Sequence, residues 1–408
     1  QLLLATDGLF YGTGYLGGAM GGGVLYSFNP NSNTYSELVD FNFDNGAGSE
    51  GSLMQAGSNM LYGTTDYGGD TAGSPSGNGY GVIFKYDISA NTYTDLYHFQ
   101  QVSGAYPNRE KLLMGQNGKL YGLTFRGGSY NYGVIFSYDP STGLFMDHHN
   151  FDSINGAVPL GGMIKGSDGN YYGLTTIGGI DNQGILFKFN PGTNIFTSLY
   201  SFSQATGSRP RSSLIKASDG TLYGMTQQGG LNSMGVIFSY DISMRTYAVV
   251  FNFTSVSGNP WGSLIESTNG KFYGMTYCGA SGADTVGHIF SYDPSLHSIS
   301  YLHSFNISDG CNPIGDLTET DMNFGVPALS NVSFTISPNP AKDFISVETP
   351  TIPLCSMLSI LNMAGQELIT RQISVPNTII DIAGLLPGVY FIRLTNEKSA
   401  ETATFMKQ

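Results

Sequence analysis

The chain has 408 residues, and its 26 Tyr, 25 Phe and 56 Gly against 12% charged residues are the profile of many short aromatic strands joined by glycine turns, with little helix. A formal net charge of -13 and a pI near 4.7 exclude electrostatic docking on nucleic acid or anionic membrane, which needs clustered Lys and Arg. No apolar run reaches the roughly 18 residues that would cross a bilayer as a helix.

The chain opens on Gln1 and Leu2 without a positively charged leader region, the expectation for a mature secreted chain. From there Tyr-Gly recurs at Tyr11-Gly12, Tyr62-Gly63, Tyr121-Gly122, Tyr172-Gly173, Tyr223-Gly224 and Tyr273-Gly274, a period of roughly 50 residues with one longer step. The fifth copy divides at its turn signals. Residues 213–218 form a first strand, Asp219-Gly220 is expected to supply a type I′ hairpin, and residues 221–226 return as a second strand. Gly229-Gly230 releases the chain into a loop, and residues 235–241 and 247–253 form the third and fourth strands. The turn residues recur in the other copies, as Asp7-Gly8, Asn117-Gly118, Asp168-Gly169 and Asn269-Gly270. Between copies, Pro107, Pro159, Pro210, Pro260 and Pro313 mark the crossover to the next first strand.

In the third strand both alternating sets, Val236 with Phe238 and Ile237 with Ser239, are largely apolar, so both faces of each sheet need cover. Radial packing around an axis supplies it and predicts a six-bladed β-propeller over residues 1–320. Phe43, Phe99, Phe151, Phe202, Phe253 and Phe305, at the ends of the fourth strands, are expected to fill between blades. Residues 316–320 repeat the first-strand register of 263–268. Either they close the ring against the first copy or further copies precede it, and 2–6 and 317–320 compete for one innermost slot.

Chemistry is sought where the copies differ. The insertion at residues 70–79 reads as a loop, since it lacks the alternating acids of a calcium site. His98, His148, His149, His288, His297 and His303 form no metal-ligand motif, and His98, His149 and His303 read as polar outer-strand residues. No catalytic residue, metal or cofactor is expected. Trp261, with Tyr106, Arg209 and Arg211 at neighbouring crossovers, is the candidate ligand site for a sugar ring or a protein hot spot. Cys278 and Cys311 sit on loops that a meander brings to one face, and a disulfide between them is expected. Residues 321–333 read as a linker, and 334–408 as six or seven short alternating strands packed in a small β-sandwich.

The repeat, LYGxTxxGG followed by GVIFxYDP, resembles kelch-type propeller repeats and, more closely, the bacterial GloVer tandem repeat. The last segment resembles the type A C-terminal sorting domain of Bacteroidota type IX secretion cargo. Its matching positions are Pro338-Asn339-Pro340, residues 362–365 with Gly365, and residues 388–394 with Gly388 and Tyr390, before a last strand ending at Lys407. That resemblance implies delivery to the cell surface or the medium, with an outer-membrane translocon, a shuttle protein and a sortase as partners. The expectation is thus an exported, non-enzymatic propeller binding a glycan or a surface protein. The competing expectation, a polysaccharide hydrolase or lyase, requires two carboxylates converging in the central channel, and the first strands offer only scattered acids such as Glu266 and Glu319.

Overall fold

The computed structural model describes residues 2–71, 74, 77–107, 111–256, 258–278, 287–306, 310–318, 334–349, 356–362, 366–373, 375–395 and 400–408. The chain divides into two compact units, Gln1–Glu319 and Thr320–Gln408. In the first unit the strands assemble into six antiparallel meanders, each taking its strands in sequence order. The fifth copy is representative, with strands Ile215–Lys216, Leu222–Thr226, Val236–Asp241 and Thr246–Asn252. Two sheets gain a short extra strand from the crossover, Ala105–Pro107 in the third copy and Asn259–Pro260 in the sixth.

The first hairpin differs from the sequence expectation. Gly220 has φ 86°, but Asp219 does not join it in the left-handed region. Gly220 N–H donates to Ala217 O (2.9 Å), and Ala217 N–H donates to Thr221 O (2.9 Å). The turn is therefore type I closed by a left-handed glycine, and not type I′. Asp219 Oδ1 accepts from Thr221 N–H at 2.8 Å, an Asx contact that fixes the residue in the ordinary region.

Tyr-Gly repeats because the second strand carries an aromatic ring across its face. A Cβ on Gly224 would lie 2.6 Å from Phe238 Cζ and 2.9 Å from Leu214 Cδ2. Gly63, Gly122, Gly173 and Gly274 face Phe84, Phe136, Phe187 and Phe290 in the same way, and Gly12 faces Tyr26. Opposite this ring the ladder between third and fourth strands is interrupted at one equivalent step in every copy, for example Ile237/Phe238. Such a bulge sharpens the twist of the outer strands.

The core lies between copies. Val236, Ile237 and Phe238 are all fully buried, so both sheet faces are covered. Five apolar clusters each join successive copies, as in Phe202 and Leu186 of the fourth with Val236 and Phe238 of the fifth. Phe202 meets Phe238 edge-on at 5.3 Å, while Tyr200 lies flat on Tyr247 at 3.8 Å. Tyr97 on Phe145 (4.1 Å) and His149 on Phe196 (3.8 Å) continue the same stack between other copies. His149 is thus not an outward polar residue: burial against Phe196 and Phe151 pushes its pKa down to about 4. One of the six phenylalanines also moves. Phe43 is 39% exposed with φ 68°, and Phe41, fully buried, fills its place.

Of the two segments competing for the innermost slot, residues 3–4 form the strand, whereas 317–318 form none and 319–320 lie outside the described residues. Leu3–Leu4 pairs with Phe10–Gly14 as a first strand, while Thr318 Oγ1 donates to Leu2 O at 3.2 Å. The ends of the first unit are therefore joined by a direct hydrogen bond. Asp316 extends a repeated contact at this seam. Gly162 N–H donates to Ser213 Oγ (2.7 Å), Ser213 N–H to Ser263 Oγ (3.0 Å), and Ser263 N–H to the Asp316 carboxylate.

In the second unit Thr335–Ser337, Phe344–Glu348 and Asn377–Asp381 form one sheet. Glu367–Ile373, Ser356–Leu361, Gly388–Thr395 and Ala400–Lys407 form another. Alternate residues of both, among them Ile345, Val347, Leu358, Ile380, Ile392 and Phe405, make one apolar core. No helix among the described residues is long and apolar enough to cross a membrane.

Candidate functional site

At five of the crossovers the residue just beyond the turn lines one shared cavity. In copy order the residues just beyond that turn are Glu50, Leu160, Arg211, Trp261 and Ile314, with Asn108 outside the described residues. These five side chains line one cavity of about 550 Å³, with Tyr15 and Phe125 from the ends of two second strands and Asp316 from the closing segment. The backbone repeats around the axis and the side chains do not, so the cavity is an irregular surface built on a regular frame.

Trp261 is its most developed part. The Arg211 guanidinium carbon lies 4.6 Å from the Trp261 ring centroid, and the Tyr277 ring lies 5.0 Å from it on the same copy. The backbone N–H of Trp261 donates to Met275 O at 3.2 Å, which ties the main chain at this position to its own sheet. The ring is half-buried, leaving part of its apolar surface to the cavity.

The four residues singled out in the sequence separate. Arg211 and Trp261 come together in the cavity. Tyr106 does not line it but packs against Tyr67 (5.4 Å) and against the lining residue Phe125 (5.5 Å). Arg209 is exposed, and its backbone is engaged on both sides, its N–H donating to Gln183 O (2.9 Å) and its carbonyl accepting from Gln227 N–H (3.2 Å). Sequence reading missed Glu50, Leu160, Ile314 and Asp316. Aligning the position after each crossover proline would have found Leu160 and Ile314, which occupy the register of Arg211 and Trp261; Glu50 follows Ser49, so no proline marks it.

Of the two cysteines expected to pair, Cys311 is exposed and the side chain of Cys278 lies outside the described residues. Next to them, Asn312 Nδ2 donates to Tyr277 O at 2.9 Å.

Of the acids weighed for catalysis, Glu266 is committed to structure. Its Oε1 and Oε2 accept from the hydroxyl and backbone N–H of Ser218, both at 2.8 Å. Glu319 lies outside the described residues. Asp316 is committed to Ser263 N–H. Among the described residues no cluster of His, Cys, Asp and Glu could hold a metal ion. The histidines are spent on packing: His148 bridges Ser137 (2.8 Å) and Asn194 (2.6 Å), and His288 bridges Ser304 (2.9 Å) and Val256 O (3.1 Å).

In the second unit the motif residues meet at one end of the four-stranded sheet. Gly388 pairs with Lys407, Asn339 Oδ1 accepts from Met406 N–H (2.9 Å), and Asn339 Nδ2 donates to Thr404 O (3.3 Å). Pro338 and Pro340 flank Asn339, each after a cis peptide bond. Tyr390 donates to Leu386 O at 2.8 Å and stacks on Phe405. Gly365 lies outside the described residues.

The family model described as the Gloeobacter/Verrucomicrobia repeat matches residues 1–218 and 164–326, and that of a secretion system C-terminal sorting domain matches 335–408. No curated protein matches the chain. Among solved structures, the extracellular domain of the putative one component system BT4673 from B. thetaiotaomicron has 12% identity and a TM-score of 0.52, covering 100% of this chain and 56% of that one. PorZ, an essential bacterial surface component of the type-IX secretion system of Porphyromonas gingivalis, has 12% identity and a TM-score of 0.50, covering 100% of this chain and 59% of that one. Both likenesses concern the all-β, propeller-like fold, and this chain spans well under two thirds of either protein.

Proposed function

Because the chain belongs to the Gloeobacter/Verrucomicrobia repeat family and carries a type IX secretion sorting domain that directs it to the cell surface or the extracellular space, we propose that it is a six-bladed β-propeller whose axial mouth binds a glycan there. The observation that carries the reading is the Trp261 ring, held between Arg211 and Tyr277 on a cavity lined by one non-repeating residue per crossover. An aromatic face beside polar groups suits the apolar face and hydroxyl edge of a pyranose. The hydrogen bond from Thr318 to Leu2 supports closure of the ring at six blades, and the single core shared by the two C-terminal sheets supports a β-sandwich. That sandwich is the part read by the translocon, the shuttle protein and the sortase.

One observation favours a polysaccharide hydrolase or lyase: Glu50 and Asp316 line the same cavity. Against it, Asp316 already holds the seam through Ser263, and a carboxylate so committed is a poor proton shuttle. A glycan-array screen of the full chain decides. Binding that falls by about 30-fold in Trp261→Ala, without shortening of the glycan, is the expected result. Uniform absence of binding overturns the reading, and cleavage of a bound glycan replaces it with the enzymatic one.

A further inference from the structure

Beyond the mouth, a second cavity of about 380 Å³ runs along the first strands of the third to sixth copies. Asp316 lines both cavities, so the two adjoin at the closing segment. The charges of this inner cavity are Lys111, Lys216, Glu266 and Asp316. They are not equivalent. Both carboxylates already accept hydrogen bonds from Ser218 and Ser263, which satisfies oxygens that would otherwise seek the lysines. Lys111 and Lys216 are exposed, and among the described residues their side chains make neither an ion pair nor a hydrogen bond. With Arg211 in the mouth, three basic groups converge on one axis of a protein that has only 17 Lys and Arg against 30 Asp and Glu.

We propose that the inner cavity is an anion-accepting subsite and that the bound glycan is acidic, a pyranose lying against Trp261 with its carboxylate or sulfate group directed to Lys111 and Lys216. This inference rests on the glycan reading of the mouth. A lysine ammonium is a compact point charge with three donors, and it recognises either anion without the planar fork that arginine would impose. Both lysines are exposed, so their attraction for an anion is open to screening by salt. The excess of acidic residues elsewhere repels an anionic chain from the remaining surface, leaving the axis as its point of entry.

The test titrates the full chain with three labelled oligosaccharides of equal length: a uronate oligomer, its carboxyl-reduced neutral counterpart, and the neutral oligomer after sulfation. The acidic forms are expected to bind about five- to tenfold more tightly than the neutral one, roughly the worth of two exposed ion pairs. That preference is expected to shrink at high salt and to vanish in Lys111→Gln/Lys216→Gln. Lys342→Gln, in the C-terminal unit, is expected to leave it intact. The ratio of the two acidic arms identifies the anion. Equal or tighter binding of the neutral form, or a preference that survives the double substitution, overturns the subsite while Trp261-dependent binding upholds the mouth. Absence of binding by all three overturns both.

Discussion

Gly224 and His149 show how much of this chain is decided by single contacts between aromatic rings and their neighbours. Gly224 is silent in propensity terms, yet a methyl group there would press on Phe238 and Leu214, both fixed in a buried interface. Gly224→Ala is expected to lower stability by about 1–3 kcal/mol, the usual cost of overpacking, measured as a fall in the thermal midpoint. An equally mild substitution at Gly220, where a Cβ meets nothing within 4 Å, acts only through its φ of 86°. His149 contributes in the opposite sense to an exposed histidine. Its folded pKa is depressed to about 4, so below the unfolded value near 6.5 the unfolded chain binds a proton that the folded chain refuses. Stability is therefore full above about pH 6.5 and declines as pH falls toward 4. His149→Phe, which keeps the stack on Phe196, is expected to flatten the drop in melting temperature over this window; an unchanged profile would show that other groups cause it.

Strands and turns were the most legible level of organisation, and the reasons are physical. Period-two apolar alternation, Asp-Gly and Asn-Gly turns and Tyr-Gly second strands are local signals, and the six meanders follow from them. The turn type was not legible, because Asp219 satisfies an Asx contact that composition does not reveal. Phe41 and Phe43 both sit at the end of one strand, and only the ladder register decides which faces the core. The candidate cavity was half legible. Trp261 stands out as the sole tryptophan, whereas Glu50, Leu160 and Ile314 are ordinary residues whose meaning comes from a shared place around the axis. The seam offers a test at this scale. Asp316 fills the seat that Ser213 and Ser263 hold elsewhere, so Asp316→Ser should keep its hydrogen bond and its stability. Asp316→Ala, which leaves the Ser263 N–H without its acceptor, should cost about 1 kcal/mol or more in denaturant unfolding. Equal stability of the two variants would show that the seam does not depend on this contact.

The whole molecule combines an export unit that reads as a short structural code with a larger unit that presents an irregular cavity on a repeated frame. Asn339, Gly388 and Lys407 meet around the last strand, so these motif residues serve as the scaffold of their own domain. Asn339→Ala removes contacts to Met406 and Thr404, and it is expected to reduce the amount of protein on the cell surface while leaving the fold of the first unit unchanged; cell fractionation with circular dichroism of the retained protein reads both. The central claim concerns where a ligand sits on the first unit. Hydrogen exchange of the full chain with and without a glycan identified by the array tests it most directly. Slowed exchange is predicted at residues 49–52, 211, 261–262 and 314–316, the segments that line the mouth. Slowed exchange confined to the outer fourth strands, or none under saturating glycan, would contradict an axial binding site.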